Sequence, residues 1–158
     1  MKTITIKIPS QKTLFQESYA LCVADSRKRW IKGCLGESGK DRGVYIMRLK
    51  GRVLYVGKTG GERMNYKTRL YRHFVKSAAM NKGIYLKLAK LKQPVSVSFL
   101  PDREILKLIT GTNMNRQRLE DEVICLMEAA VIHEYKPRFQ QKNLDARSDS
   151  STARRKAP

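Results

Sequence analysis

"GVYIMRLKGRVLYVGK", residues 43–58, decides how this chain is read. Two β-prone runs, Val44–Leu49 and Val53–Val56, flank Lys50-Gly51-Arg52, which predicts a hairpin with glycine in its turn. The stretch runs on into Gly57-Lys58-Thr59, the last three letters of a phosphate-gripping P-loop. A P-loop needs a glycine five positions before its second glycine, with a flexible cradle between. Arg52 stands at that position, and a rigid strand cannot wrap a triphosphate with its amides. No nucleotide triphosphate is expected here.

Downstream, Tyr66, Leu70, Phe74 and Ala78 fall every four positions and predict an amphipathic helix from about Arg63 to Met80. Val95–Leu100, after Pro94, reads as a third strand, and Asp102 as the cap of a short helix ending near Gly111. A longer helix is expected from about Gln117 to Tyr135. Its buried side would carry Leu119, Val123, Leu126, Met127, Ala130 and Val131, with Pro137 just beyond its end.

Upstream, Ile4, Ile6 and Ile8 alternate in a short strand over 3–8, and Leu14, Phe15, Tyr19, Leu21 and Cys22 recur at helical spacing. Gly33, Gly36 and Gly39 mark a loop. The chain therefore divides into an accessory arm (1–40), a main domain (41–144) and a basic tail (145–158) expected to be disordered. The order β-β-α-β-α-α gives an α/β (α+β) class: a small, mainly antiparallel three-stranded sheet flanked by helices.

Lysine and arginine outnumber aspartate and glutamate 33 to 14, a formal charge of +19. Such an excess favours a polyanionic partner, and phosphate neutralisation points to nucleic acid. No apolar run approaches the roughly 20 residues of a membrane span, so no membrane is expected. MKTITIKIPS lacks the continuous apolar segment of a signal peptide, which favours a cytoplasmic location. Cys22, Cys34 and Cys125 are widely spaced and, with only His73 and His133 beside them, give no zinc framework. They read as reduced cysteines, mostly core filler.

Gly43-Val44-Tyr45 and Tyr55-Val56-Gly57 lie on the two hairpin strands, with Lys58 directly after. Arg69-Leu70-Tyr71-Arg72-His73 places an arginine and a histidine four apart on one helix face. "MEAAVIHEYKPRF", Met127–Phe139, sets Glu128 ahead of Lys136-Pro137-Arg138-Phe139. In this order the elements resemble the GIY-YIG nuclease superfamily over residues 43–140, about 60% of the chain. The compact size is similar to phage or mobile-element enzymes, including restriction-like members. Two departures stand out. The family's final asparagine falls on Gln140, with Asn143 as a substitute, and Thr59–Thr68 looks like a small insertion that leaves Arg63 as a rival to Arg69.

The resemblance implies a DNA endonuclease that hydrolyses phosphodiester bonds with one magnesium ion, manganese being a substitute. Glu128 is then the metal ligand. Periodicity alone does not select it, since Glu120 and Glu134 also project towards the apolar side; its spacing from Lys136-Pro137 does. Arg69 would hold the scissile phosphate. Tyr45 is the proximal base, with nearby cations (Lys58, Arg69 and the metal) favouring its phenolate, and His73 is its proton partner. Tyr55 would contact phosphate or water, Gly57 would allow close approach, and Gln140 would orient Glu128 or a metal-bound water.

Between Arg48 and Lys76 there are nine basic residues against one acid, Glu62. Arg48, Arg52, Arg63, Lys67, Arg72 and Lys76, with Tyr66 and Tyr71 interleaved, read as the face that tracks DNA. Arg154-Arg155-Lys156 in the tail would add nonspecific affinity. Cutting both strands would suit a homo-oligomer. The alternative reading is a noncatalytic DNA- or RNA-binding module that keeps the nuclease fold.

Overall fold

Lys50 and Gly51 take φ angles of 49° and 79°, the paired positive values of a type I′ turn. They close strand β3 (Gly43–Leu49) on β4 (Arg52–Lys58), with Leu49 paired to Arg52. Arg52 thus belongs to the strand, and the turn is two residues long.

The computed structural model describes residues 5–6, 18–23, 35–61, 63–79, 82–110 and 116–140, with 5–6, 18, 109–110 and 116–121 given by backbone alone. Before the hairpin come β1 (Thr5–Ile6) and β2 (Ser18–Leu21). After it come α1 (Tyr66–Phe74), α2 (Lys82–Leu91), β5 (Val95–Pro101), α3 (Asp102–Lys107), β6 (Ile109–Thr110) and α4 (Arg116–Tyr135). The expected tail, its Arg154-Arg155-Lys156, Asn143, Cys34 and the Glu120 side chain lie outside the described residues.

The class is mixed α/β, and the main sheet is antiparallel throughout, in the order β2-β5-β3-β4. It has four strands where the sequence suggested three. The extra one, β2, lies in a segment whose spacing looked helical, and it pairs from Ser18↔Ser98 to Leu21↔Val95. Tyr19 and Leu21 also fit a period of two, and the open edge of β5 offers hydrogen bonds that settle the choice. A separate two-stranded ladder joins β1 to β6.

Tyr45, Met47, Val97 and Phe99 face α1 and α2, while Val44, Ile46, Val56 and Leu100 face α3 and α4. Burial on both faces explains why Val44-Tyr45-Ile46-Met47 is an unbroken apolar run, every member 0% exposed. Helix α2 was not read from the sequence, although Ile84, Leu88 and Leu91 fall at i, i+4 and i+7. Gly83 in its first turn masks that signal. Helix α1 is shorter than its apolar pattern: Asn65 caps it by accepting from Thr68 N at 2.9 Å, and it ends at Phe74 before a 3-10 turn at Lys76–Ala78. Pro101, not Asp102, is the cap position of α3; the Asp102 carboxylate accepts from Arg103 N instead.

On α4, Leu126 is 45% exposed, whereas Ile124 takes a fully buried place beside Val123 and Met127. Lys136, at φ 42°, ends the helix in the left-handed conformation, and Pro137 blocks its continuation. The chain then turns along the outer edge of β4, where Phe139 N donates to Leu54 O at 2.8 Å. The K-P-R-F segment therefore stops a helix and covers a sheet edge. Among the described residues no helix is long and apolar enough to cross a membrane.

Candidate active site

Helix α1 lies across the sheet face that carries Tyr45, and its i, i+4 pair Arg69 and His73 points inward. The Tyr45 hydroxyl is 2.6 Å from His73 Nε2, with both side chains buried. The Arg69 guanidinium reaches the phenols of Tyr45 and Tyr55. Tyr55 packs against the His73 ring with centroids 5.4 Å apart. Tyr66 stands behind Tyr45: its hydroxyl donates to Leu100 O at 2.7 Å, and its ring stacks on Phe99 at 4.3 Å. Tyr66 is thus a core strut, 0% exposed, and not part of an outward basic face.

Desolvation governs the charges here. Burial, reinforced by Tyr55, pushes the Tyr45 phenol well above its ordinary range, and Arg69 only partly opposes it. Arg69 favours the phenolate as expected, but burial outweighs it in the free protein. Burial and then the Arg69 charge push His73 down to about 3, so its ring is neutral at pH 7. Among the described residues, His73 Nδ1 and Arg69 Nε are buried without a hydrogen-bond partner.

Glu128 approaches from the other face of the sheet, on α4. Burial raises its carboxyl, opposed by Lys58 and Arg69. Its side chain is 20% exposed, and Lys58 Nζ lies 3.7 Å from its Oε2. Glu128 also contributes to the raised values of Tyr45 and Tyr55, so the two half-sites meet electrically at the β4 end of the sheet. Lys58 Nζ donates to Cys125 Sγ, one turn before Glu128. Cys22 and Cys125 are exposed, not core, and no sequence pattern marked Cys125 as part of this cluster.

No cluster of three His, Cys, Asp or Glu occurs among the described residues. A lone carboxylate nevertheless fits magnesium, which keeps several waters and takes one or two protein oxygens beside a substrate phosphate. Glu128, partly buried and in an ion pair with Lys58 at 3.7 Å, is the residue that would hold it.

Gln140 sits differently from its expected place. Its Oε1 accepts from Val56 N at 3.1 Å and its Nε2 donates to Val56 O at 2.6 Å, so both ends of the amide grip the β4 backbone. It fastens the covering segment to the sheet edge, with both amide atoms engaged by the Val56 backbone. Thr59, which completes the false P-loop letters, is a buried link: Gly43 N donates to its Oγ1 at 2.8 Å.

Of the expected DNA-tracking residues, Lys67, Arg63 and Lys76 are exposed and Arg72 is half-buried on or beside α1. Tyr71 is 38% exposed on the same helix. Arg52 is exposed at the hairpin turn, roughly 20 Å along β4 from Lys58 by the rise of a strand. Arg48 is half-buried: its Nη1 donates to Ser98 Oγ at 3.2 Å, and it faces Tyr135 on α4. Neither joins the Arg69 cluster. Lys82 and Lys90 on α2 add exposed charge that sequence reading did not place.

No protein-family model, no curated protein and no solved structure matches this chain. The site's own chemistry has to carry any functional reading.

Proposed function

We propose that this chain is a magnesium-dependent DNA endonuclease with a one-metal hydrolytic mechanism of the GIY-YIG kind. The observation that carries the reading is the hydrogen-bonded Tyr45–His73 pair at 2.6 Å, with the Arg69 guanidinium against its phenol. Two aromatic proton carriers and a fixed cation meet beside a half-buried carboxylate, which suits attack of water on a phosphodiester.

In this mechanism the attacking water gives its proton to Tyr45 Oη as the phenolic proton passes to His73 Nε2. That requires the neutral His73 ring to carry its proton on Nδ1, leaving Nε2 free to accept. Arg69 faces the non-bridging oxygens and stabilises the charge that develops on them. Glu128 would hold the divalent cation, which would polarise the phosphate and ease departure of the 3′ oxygen. Lys67, Arg63, Arg72 and Lys76 track the flanking phosphates.

The test is supercoiled plasmid incubated with magnesium or with chelator, beside Glu128→Ala. Relaxed or linear product that needs both magnesium and Glu128 is expected, with DNA affinity falling steeply as salt rises. The noncatalytic binding module is favoured by one observation, the commitment of Gln140 to Val56. Gel-shifted but uncut plasmid, branched DNA and genomic DNA in both proteins would establish it instead.

A further inference from the structure

From Arg63 to Pro101 the sequence holds nine lysines and arginines and no aspartate or glutamate. That span supplies α1 and α2, which pack against each other on the sheet face that carries Tyr45. From Asp102 to Tyr135, the span of α3 and α4 on the opposite face, seven acids stand against four bases. The sheet thus separates a positive face from a mildly acidic one.

Helix α2 carries the positive face beyond α1. Ile84 and Leu88 turn into the core, which leaves Lys82, Leu86 and Lys90 exposed at i, i+4 and i+8. Lys82 and Lys90 are about 12 Å apart along the helix axis. Neither forms an ion pair among the described residues. Folding alone does not select this pattern. A helix N-terminus favours acids, and α3 conforms with Asp102 and Glu104 in its first turn. Helices α1 and α2 have no acid there and carry Lys67 and Lys82 instead. Two helices that break the rule on one face point to an external polyanion.

We propose that α2 is a second docking surface for duplex DNA, with Lys82 and Lys90 contacting backbone phosphates beside those that α1 contacts. The inference rests on the nucleic-acid part of the reading above, not on cleavage. The ring on α2, Tyr85, is half-buried, so this helix gives no platform for the stacked bases of a single strand. Lysines spaced along a helix suit the regular phosphates of a duplex and read no sequence. A lipid surface fits less well, because the apolar side of α2 is already buried and Leu86 stands alone among its exposed residues. Lys87 is held elsewhere: its Nζ donates to Phe139 O at 3.1 Å and lies 5.3 Å from that ring's centroid.

The test is fluorescence anisotropy of the full chain on a labelled DNA duplex, in chelator so that nothing is cut, over a range of salt. Lys82→Gln/Lys90→Gln should weaken binding about tenfold or more near physiological salt. It should also flatten the plot of log affinity against log salt by about 1.8, or about 0.9 for each phosphate contact. Arg103→Gln/Lys107→Gln removes the same charge from α3 and should leave that slope within about 0.3 of wild type, since distant exposed charges are screened. An unchanged slope in the α2 pair, or an equal change in both pairs, overturns the inference. So does a loss seen only on phosphatidylserine vesicles assayed in parallel. If the α2 pair binds like a wild type that cleaves, this inference falls and the nuclease reading stands. If the slopes behave as expected in a wild type that never cleaves, the nuclease reading falls and this one stands. Melting curves close to wild type are expected for the α2 pair, because both lysines are exposed.

Discussion

Tyr45 lies over Gly57. The two are partners across the β3–β4 ladder, and a Cβ built on Gly57 would fall 2.3 Å from Tyr45 Oη and 2.4 Å from its Cζ. The glycine of Tyr55-Val56-Gly57 is therefore the floor on which the phenol rests. Tyr45 is 0% exposed and tied to His73, so it cannot give way. Gly57→Ala should cost about 1–3 kcal/mol in urea denaturation and abolish cleavage at temperatures where the variant is folded. Gly60, three residues on, has open space around it, and Gly60→Ala should stay within about 0.5 kcal/mol of wild type. Equal effects at both positions would sink this account.

The Tyr45–His73 hydrogen bond predicts strong coupling. Tyr45→Phe or His73→Leu each strands a buried polar partner and should destabilise the fold by about 1–3 kcal/mol. The double variant should lose less than the sum, by about 0.5–3 kcal/mol in a double-mutant cycle from chemical denaturation. Strict additivity would mean that the two groups do not interact in solution. In plasmid assays Tyr45→Phe should still bind DNA without cutting it.

Stability should fall with acid in a window set by His73. Its folded value, about 3, lies below the ordinary 6.5, so the unfolded chain takes up a proton that the folded chain refuses. This contribution is complete above about pH 6.5 and is lost as pH falls towards about 3, with a slope approaching 1.4 kcal/mol per pH unit. Guanidinium unfolding of wild type and His73→Gln between pH 4 and 7 checks this. The difference in their stabilities should shrink as the pH is lowered, and a constant difference would contradict the burial argument.

Gln140→Ala should lower stability by about 1–2 kcal/mol, because Val56 loses both contacts with the covering segment. Gln140→Asn should recover only part of this, being one methylene too short to hold both backbone groups. Cleavage well below the melting temperature should survive in both. Loss of cleavage without loss of stability would return Gln140 to the metal site.

Much of this architecture was legible in local pattern. Lys50-Gly51 between β-prone runs is a hairpin by turn chemistry alone. Tyr66, Leu70 and Phe74 define α1, and Pro137 after a long apolar-periodic run ends α4, since these signals act between near neighbours. The order of Tyr45, Tyr55, Lys58, Arg69, His73 and Glu128 was equally plain. Ser18–Leu21 was not, because its two periodicities tie until the edge of β5 breaks the tie. Nor could spacing give the protonation of Tyr45 and His73, the grip of Gln140 on Val56 or the place of Cys125 beside Lys58. Hydrogen-bond choice and desolvation depend on which distant groups arrive at the same point, and only the packed sheet and helices bring them there.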